Sequence, residues 1–216
     1  MCLCEKEPLM KVIRPSYEIL YLPEPDEILR VIEIAGRTCY KSEHKISHDS
    51  AKEFIRRIIK SGHESVIEHS FLTVKFICDR GVTHELVRHR LAAYSQESTR
   101  YANYSMDRFG SEITVIKPCF FEEGSKEYNI WLKAMEQAEK SYMELLKLGA
   151  RPEEARSVLP NSLKAEIVMS ANFREWRHVF RLRCSKRAHP QIREIMIPLL
   201  QELKKRVPVI FDDITY

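Results

Sequence analysis

The sequence predicts an α+β fold: a single domain over residues 1–216, with an antiparallel or mixed sheet flanked by long helices. Three observations lead to this class. Large side chains alternate with polar ones along 70–79, as in a β-strand. Apolar residues recur at helical spacing in several longer segments, the longest being 124–148. No repeat, low-complexity stretch or linker divides the 216 residues, a length that fits one large domain.

The first half of the chain mixes strands and helices. The predicted elements are a strand at 11–22, helices at 27–39 and 50–62, a strand at 70–79 and, after Gly81, a helix that carries residues 83–90. Pro23 and Pro25 break the chain before the first helix, and Gly62 ends the second.

The second half is more helical. Its predicted elements are a strand at 113–121, a helix at 124–148 with Gly149 as C-cap, a short helix from Pro152 to Pro160, a strand at 163–170, and helices at 172–187 and 190–206. Proline in the first turn and carboxylates beside it favour the short helix. Pro198 is expected to kink the last one.

Composition and charge limit the classes of protein to be considered. The net charge of +4 is too small to require nucleic acid as a partner, although it suits anionic small molecules where the charge is concentrated. No apolar run approaches the ~18 residues of a membrane span. No signal peptide is visible at the start, so we expect the six cysteines to be reduced thiols in the cytoplasm. Cys2 and Cys4 offer half a metal site, with no second pair to complete it.

The stretch 83–101 concentrates charge with little apolar bulk. Arg88, His89 and Arg90 are consecutive, so one helix face cannot carry all three. They must serve several neighbours or lie where a helix ends and its side chains fan out. A solvated basic helix end is the simple interpretation, but it leaves the polar run 96–100 unexplained.

A second cationic segment covers 172–187, and no acidic residue occurs from Trp176 to Arg193. Arg174, His178 and Arg181 fall on one predicted helix face. Arg183 falls on another, beside an apolar wall. The alternative interpretation of this pattern is an amphipathic helix with a solvated basic face.

Two separated arginine clusters, with Arg156 between them, indicate more than one phosphate-bearing ligand. There is neither a glycine-rich dinucleotide motif nor a P-loop, so side chains would hold the phosphates. Segment 63–69 contains two histidines and two glutamates, but its histidines are six residues apart, which disfavours a zinc site. We predict no metal.

Arg88-His89-Arg90, then seven residues, then Ser98-Thr99-Arg100-Tyr101 resembles the signature of flavin-dependent thymidylate synthases. The turn at 63–65 resembles another segment of that family. The resemblance implies an α+β homotetramer with FAD sites between subunits. It also implies methylation of dUMP to dTMP, with 5,10-methylenetetrahydrofolate as carbon donor, reduced flavin as hydride donor and NADPH as reductant.

By position, the resemblance assigns residues to both ligands. The implied FAD contacts are His63, Ser65, Arg88, His89, Arg90, Gln96, Asn172, Arg174 and His178. The implied dUMP contacts are Glu85, Arg88, Gln96, Glu97, Ser98, Thr99, Arg100, Arg156 and Arg183. Arg183 resembles the arginine that stabilises negative charge on the uracil ring, which makes it the predicted catalytic residue.

Some positions depart from the commonest family pattern, and Glu85 is one of them. A carboxylate near a nucleotide phosphate would be repulsive, so we expect Glu85 to meet a hydroxyl or an arginine. Ser98 is interpreted as a ligand-positioning residue rather than a nucleophile, and no catalytic cysteine is required. The competing classes are a nucleic-acid-binding protein and a flavoprotein oxidoreductase without methyl transfer.

Overall fold

A computed structural model describes residues 10–106 and 111–216. Cys2 and Cys4 lie outside the described residues. The strands are β1 Lys11–Ile13, β2 Ser16–Tyr21, β3 Phe71–Asp79, β4 Ala93–Gln96, β5 Thr114–Ile116 and β6 Lys164–Asn172. The helices are α1 Pro25–Cys39, α2 Ser50–Lys60, α3 Arg80–Leu86, α4 Lys126–Lys147, α5 Pro152–Ala155, α6 Phe173–Arg183, α7 Pro190–Arg206 and α8 Pro208–Phe211. Short 3₁₀ turns occur at Glu43–Lys45, Glu64–His69 and Arg156–Val158.

The described chain divides into two compact units. The first comprises residues 10–16, 76–84 and 96–167, and the second comprises 17–75, 85–95 and 168–216. The predicted α+β class, with a mostly antiparallel sheet, is confirmed. The single domain over 1–216 stays a prediction.

A four-stranded sheet has the order β2-β3-β6-β4. Alternate residues of β3 and of β6 are buried, which gives each strand one face toward the core. This alternation is what predicted both strands. A separate two-stranded sheet pairs β1 with β5 in parallel, with Val12 opposite Val115.

The predicted strand at 11–22 is two strands, because β1 and β2 belong to different sheets. Pro15 lies between them and has no N–H to continue a ladder. The predicted strand at 113–121 is wrong beyond Ile116. The backbone N–H of Lys117 still donates to the carbonyl of Ile13 at 2.9 Å. The next residue, Pro118, has no N–H, and the pairing ends there.

In the first unit, apolar residues pack around helix α4. Their buried members are Met10, Ala102, Tyr104, Ile113, Val115, Trp131, Met135, Tyr142, Ala155 and Leu163. The Ser125 hydroxyl caps the start of α4 by accepting the Tyr128 N–H at 3.1 Å. The C-cap of α4 is Leu148, and the predicted Gly149 follows it at φ +92°, in the left-handed conformation that commonly ends a helix.

In the second unit, α1 packs on α2, and α6 packs on α7. A Cβ added at Gly36 would lie 2.7 Å from the Phe54 ring, so close packing of α1 on α2 requires glycine there. Helix α6 is tied to β3 by Trp176, whose indole N–H donates to the Leu72 carbonyl at 3.0 Å. These contacts fix α6, which carries many of the predicted site residues.

The helix predicted at 190–206 has these bounds in the structure, as α7. The strand predicted at 163–170 is confirmed as β6. The helix after Gly81 ends at Leu86, short of the predicted 90. Strand β4 and helix α8 were not predicted. In the described parts of the chain, no helix combines the length and apolar character needed to cross a membrane.

Candidate active site

The Arg88-His89-Arg90 triplet lies in the turn after α3. Tyr94 closes this turn, because its hydroxyl contacts the carbonyl oxygens of Leu86 at 2.6 Å and His89 at 3.0 Å. Arg88 and Arg90 are exposed, whereas His89 is only 4 % exposed. The predicted divergence of the three side chains at a helix end is confirmed.

Arg183, the last residue of α6, is held by two residues of the same unit. Its Nε donates to His89 Nε2 at 2.9 Å, and its Nη1 donates to the Glu85 carboxylate at 2.6 Å. Its Nη2 donates to the Glu85 carbonyl at 2.9 Å. The expectation that Glu85 meets an arginine is confirmed. These bonds use three of the five N–H groups that a guanidinium carries.

His89 is a neutral imidazole at physiological pH. Burial lowers its pKa to about 4, and the positive charge of Arg183 and the nearby His178 lower it in the same direction. A neutral imidazole has one protonated nitrogen. Since Nε2 accepts from Arg183, the proton is on Nδ1, which faces Glu175 Oε1 at 3.6 Å.

A cavity of about 360 Å³ opens at this cluster. Its lining residues are Arg88, His89, Arg90, Leu91, Glu175 and His178. Leu91 is 80 % exposed, so the lining of the cavity includes an accessible apolar side chain as well as two arginines. Small-molecule sites occupy roughly 300–1,000 Å³, so this volume lies within the range of a small-molecule site.

The donor atoms of His89, Glu175 and His178 lie within 4.8 Å of one another, close enough for a metal ion. The tautomer of His89 argues against one. Its Nδ1 carries the proton, so no lone pair faces Glu175 and His178. Moving that proton to Nε2 would set two donors, Nε2–H and the Arg183 Nε–H, against each other.

The turn that carries His63 and Ser65 is joined to α6 by ion pairs. Glu68 binds Arg174, and Glu64 binds both Arg177 and Arg181. Burial alone would raise the pKa of Glu64, but the hydrogen bonds and charges of Arg181 and Arg177 lower it. Arg174, His178 and Arg181 share the exposed face of α6, as predicted.

Arg177 is fully buried beneath that face. It donates to both oxygens of Asp213, at 2.6 and 2.7 Å, and to Glu64 at 3.1 Å. It also contacts the carbonyl of Ile210. The Arg177 hydrogen bond holds the pKa of Asp213 below its usual range. A buried arginine satisfied in this way fixes the turn, the helix and the tail together.

Asn172 and His63 already have partners within the second unit. The Asn172 side-chain oxygen caps α6 by accepting the Glu175 N–H at 2.9 Å, which leaves its amide group for other contacts. His63 Nδ1 is 2.8 Å from the Tyr40 hydroxyl.

The first unit contains a second arginine cluster. Arg156 donates to the Thr99 hydroxyl at 3.3 Å, and Arg100 donates to the Glu153 carboxylate at 3.3 Å. Arg151 pairs with the same carboxylate at 2.9 Å. Glu153 therefore bridges two guanidinium groups, as a phosphate would.

The neighbouring residues Gln96, Glu97 and Ser98 are held locally. Gln96 donates to the Thr83 hydroxyl at 3.1 Å. Glu97 accepts from Lys164 at 3.0 Å, which anchors the loop to β6. The Ser98 hydroxyl accepts the Arg100 N–H at 3.3 Å, a turn contact rather than the activation by a base that a nucleophilic serine needs.

The structure distributes the predicted site residues between the two units. The second unit contains His63, Ser65, Glu85, Arg88, His89, Arg90, Asn172, Arg174, His178 and Arg183, and the first contains Gln96, Glu97, Ser98, Thr99, Arg100 and Arg156. Sequence reasoning missed Tyr94, Glu153 and Glu175. A signal for Glu175 was present, because it directly precedes the acid-free run and lies three residues before His178.

An α+β fold that presents two arginine clusters and a buried neutral imidazole has the character of an enzyme acting on anionic small molecules. The comparisons name the family. The family model described as thymidylate synthase complementing protein matches residues 20–209. The chain belongs to this family, that of the flavin-dependent thymidylate synthases, and the enzyme class predicted from its sequence is confirmed.

Individual relatives match over most of their length. The flavin-dependent thymidylate synthase of Pyrococcus abyssi is 40 % identical over 167 residues, which cover 77 % of this chain and 68 % of the relative. That of Geobacter sulfurreducens is 34 % identical over 200 residues, covering 89 % and 83 %. A crystal structure of the UMP/dUMP methylase PolB from Streptomyces cacaoi, bound with 5-Br dUMP, has the same fold. Its TM-score is 0.77 at 23 % identity, with 94 % of this chain and 96 % of that chain covered.

Proposed function

We propose that this protein converts dUMP to dTMP by reductive methylation. In this proposal 5,10-methylenetetrahydrofolate supplies the carbon, reduced FAD supplies the hydride, and NADPH regenerates the reduced flavin. The enzyme acts as a cytoplasmic homotetramer with active sites between subunits. Family membership supports the thymidylate synthase activity. The observation that carries the proposed chemistry is the held guanidinium of Arg183.

The resemblance to the family implies that negative charge develops at N3 and O4 of the uracil ring during the reaction. Arg183 has one N–H on each terminal nitrogen beyond those bonded to Glu85, and its side chain is 19 % exposed. A fixed cation that is reachable by a ligand and oriented in advance stabilises such charge strongly in a site that excludes water. His89 contributes by being neutral, because an imidazolium would repel the guanidinium that it now orients.

The residues of the second unit suit a flavin. Arg88 and Arg90 are planar, exposed cations of the type that binds pyrophosphate, and Leu91 provides an apolar surface for a ring. Arg174 and His178 would extend the contact along α6, with His63 and Ser65 on the adjoining turn. When bound, FAD supplies the hydride and the protein supplies orientation and electrostatics.

The cluster around Thr99 suits the nucleotide phosphate. Arg100 and Arg156 supply the positive charge, and Ser98 and Thr99 supply hydroxyl groups. Glu153 occupies part of this cluster and would yield Arg100 to a phosphate, which offers more charge and more acceptor atoms.

Product analysis tests the proposal. Protein mixed with dUMP, 5,10-methylenetetrahydrofolate, FAD and NADPH is expected to form dTMP, and omission of any one component should abolish sustained turnover. NADPH oxidation that ignores dUMP and folate would instead identify a simple flavin oxidoreductase.

A variant tests the catalytic assignment. Arg183→Ala is expected to retain flavin and to lose about 100- to 1,000-fold in dTMP formation. Arg206→Ala is the control, since Arg206 is an exposed arginine paired with Glu202. Wild-type turnover in Arg183→Ala would remove the assignment.

A further inference from the structure

We propose that Glu175 is a positioning residue for Arg183, and that it acts through His89 by keeping the His89 proton on Nδ1. The inference rests on the proposed role of Arg183 in methylation. Neither Glu175 nor this route to Arg183 follows from the family resemblance.

Glu175 is fixed in the first turn of α6. Its backbone N–H donates to Asn172, and the residue is 7 % exposed. Its Oε1 lies 3.6 Å from His89 Nδ1, longer than a hydrogen bond. The side chains of both residues are more than nine-tenths buried, so the carboxylate faces the imidazole with little exposure to solvent.

The proton on His89 decides whether Arg183 is held. With the proton on Nδ1, the Nε2 lone pair accepts the Arg183 Nε–H at 2.9 Å. With the proton on Nε2, two donors face each other and that bond is lost. An ionised carboxylate only accepts hydrogen bonds, so Glu175 favours the first tautomer.

The hydrogen bond from Arg183 Nε to His89 fixes the direction in which the guanidinium points. Glu85 contacts both terminal nitrogens of Arg183, and His89 contacts Nε. Without the Nε contact the guanidinium plane is free to turn about the Glu85 contacts, and its two remaining N–H groups lose a fixed aim. A fixed aim is what makes a donor effective toward charge that appears only in the transition state.

Glu175→Gln provides the test, because an amide both donates and accepts and so tolerates either tautomer. In apoprotein labelled with ¹⁵N-histidine, wild-type His89 is expected to be the Nδ1–H tautomer and the variant a mixture. The His89 signal is assigned by its absence from His89→Gln. In the holoenzyme, kcat is expected to fall about 10- to 100-fold because the guanidinium is misaligned, with a smaller change in the KM for dUMP and with flavin retained.

Glu33→Gln is the matched control. Glu33 is 2 % exposed and pairs with Arg37 in the same unit. It should change neither the His89 spectrum nor kcat. Glu175→Asp keeps an acceptor-only group and is expected to keep the Nδ1–H tautomer, which also provides a variant if the amide fails to fold.

An Nε2–H signal in wild-type apoprotein would overturn the inference. So would an unchanged tautomer and an unchanged kcat in folded Glu175→Gln. Loss of flavin with the tautomer unchanged would assign Glu175 to cofactor binding instead. If the wild-type enzyme makes no dTMP, the proposed function fails, while the apoprotein spectra still decide what Glu175 does to His89.

Discussion

Acidification is expected to destabilise the protein because His89 is buried without charge. Its ordinary pKa of 6.5 falls to about 4 in the folded state. In the unfolded chain His89 therefore binds a proton below about pH 6.5, whereas in the folded chain it does so only below about pH 4. The free energy of unfolding falls as pH falls through this window. At ~1.4 kcal/mol per pKa unit, the loss is about 3 kcal/mol.

Urea unfolding of apoprotein at fixed protein concentration measures this loss. Wild type and His89→Gln are compared near pH 7, about pH 6 and about pH 5, where the wild-type slope attributed to His89 approaches ~1.4 kcal/mol per pH unit. Glutamine lacks the titrating group and still offers an oxygen to Arg183, so its curve should be flatter. His48→Gln serves as control, since the His48 side chain is 98 % exposed.

The paired carboxylates do not confuse the measurement. The pKa values of Glu64 and Asp213 are lowered, so their stabilising contributions are present above the usual values of 4.5 and 3.8 and are lost only as pH falls further. Equal slopes for wild type and His89→Gln between about pH 6.5 and 4.5 would refute the buried neutral imidazole.

Three further predictions concern other parts of the chain. Glu153→Gln should lower the KM for dUMP about 2- to 5-fold, because the Glu153 carboxylate no longer competes with the substrate phosphate for Arg100. Glu154→Gln is the control and should leave the KM unchanged, since Glu154 pairs with Arg151. An unchanged or higher KM in Glu153→Gln would contradict this competition. Asp213→Asn should lower the urea midpoint and weaken flavin binding, with Asp212→Asn as control, and equal midpoints would argue against the buried ion pair. Serine at Cys39 or at Cys119, the exposed cysteines among the described residues, should keep turnover within about tenfold in steady-state assays, and a larger loss would indicate a catalytic thiol.

Two of the described cysteines, Cys78 and Cys184, are buried, and burial changes the acidity of their thiols. Burial raises the pKa of Cys184 to about 12 and also raises that of Cys78. Both are therefore protonated and poorly nucleophilic at physiological pH.

Much of the fold was predictable from local pattern. The alternation in β3 and β6 and the apolar stripe of α7 are period signals that packing does not overrule. Strand β4 was not predictable in the same way, because Ala93–Gln96 is short and its buried and exposed positions show little contrast. Its pairing with β6 is set by residues about 70 positions away.

In the candidate site, too, features that depend on neighbouring residues were predictable, and contacts between residues far apart in sequence were not. The residue types at 88–101 and the divergence of the triplet could be predicted, because both depend on neighbours in sequence. The pairing of Glu85 with Arg183 could be expected only as a class of contact, since 98 positions separate the two. The tautomer of His89 and the place of Glu175 depend on burial and on distances that a sequence does not contain.

The guanidinium of Arg177 has a consequence for local opening. It joins the turn at Glu64, helix α6 and the tail at Asp213. If any one of these segments detaches, a buried charge is left without its partner, and the other two segments are destabilised with it. Amide exchange in these three segments should therefore proceed as one cooperative event. A protease that clips the tail would loosen the turn that carries His63 without touching it.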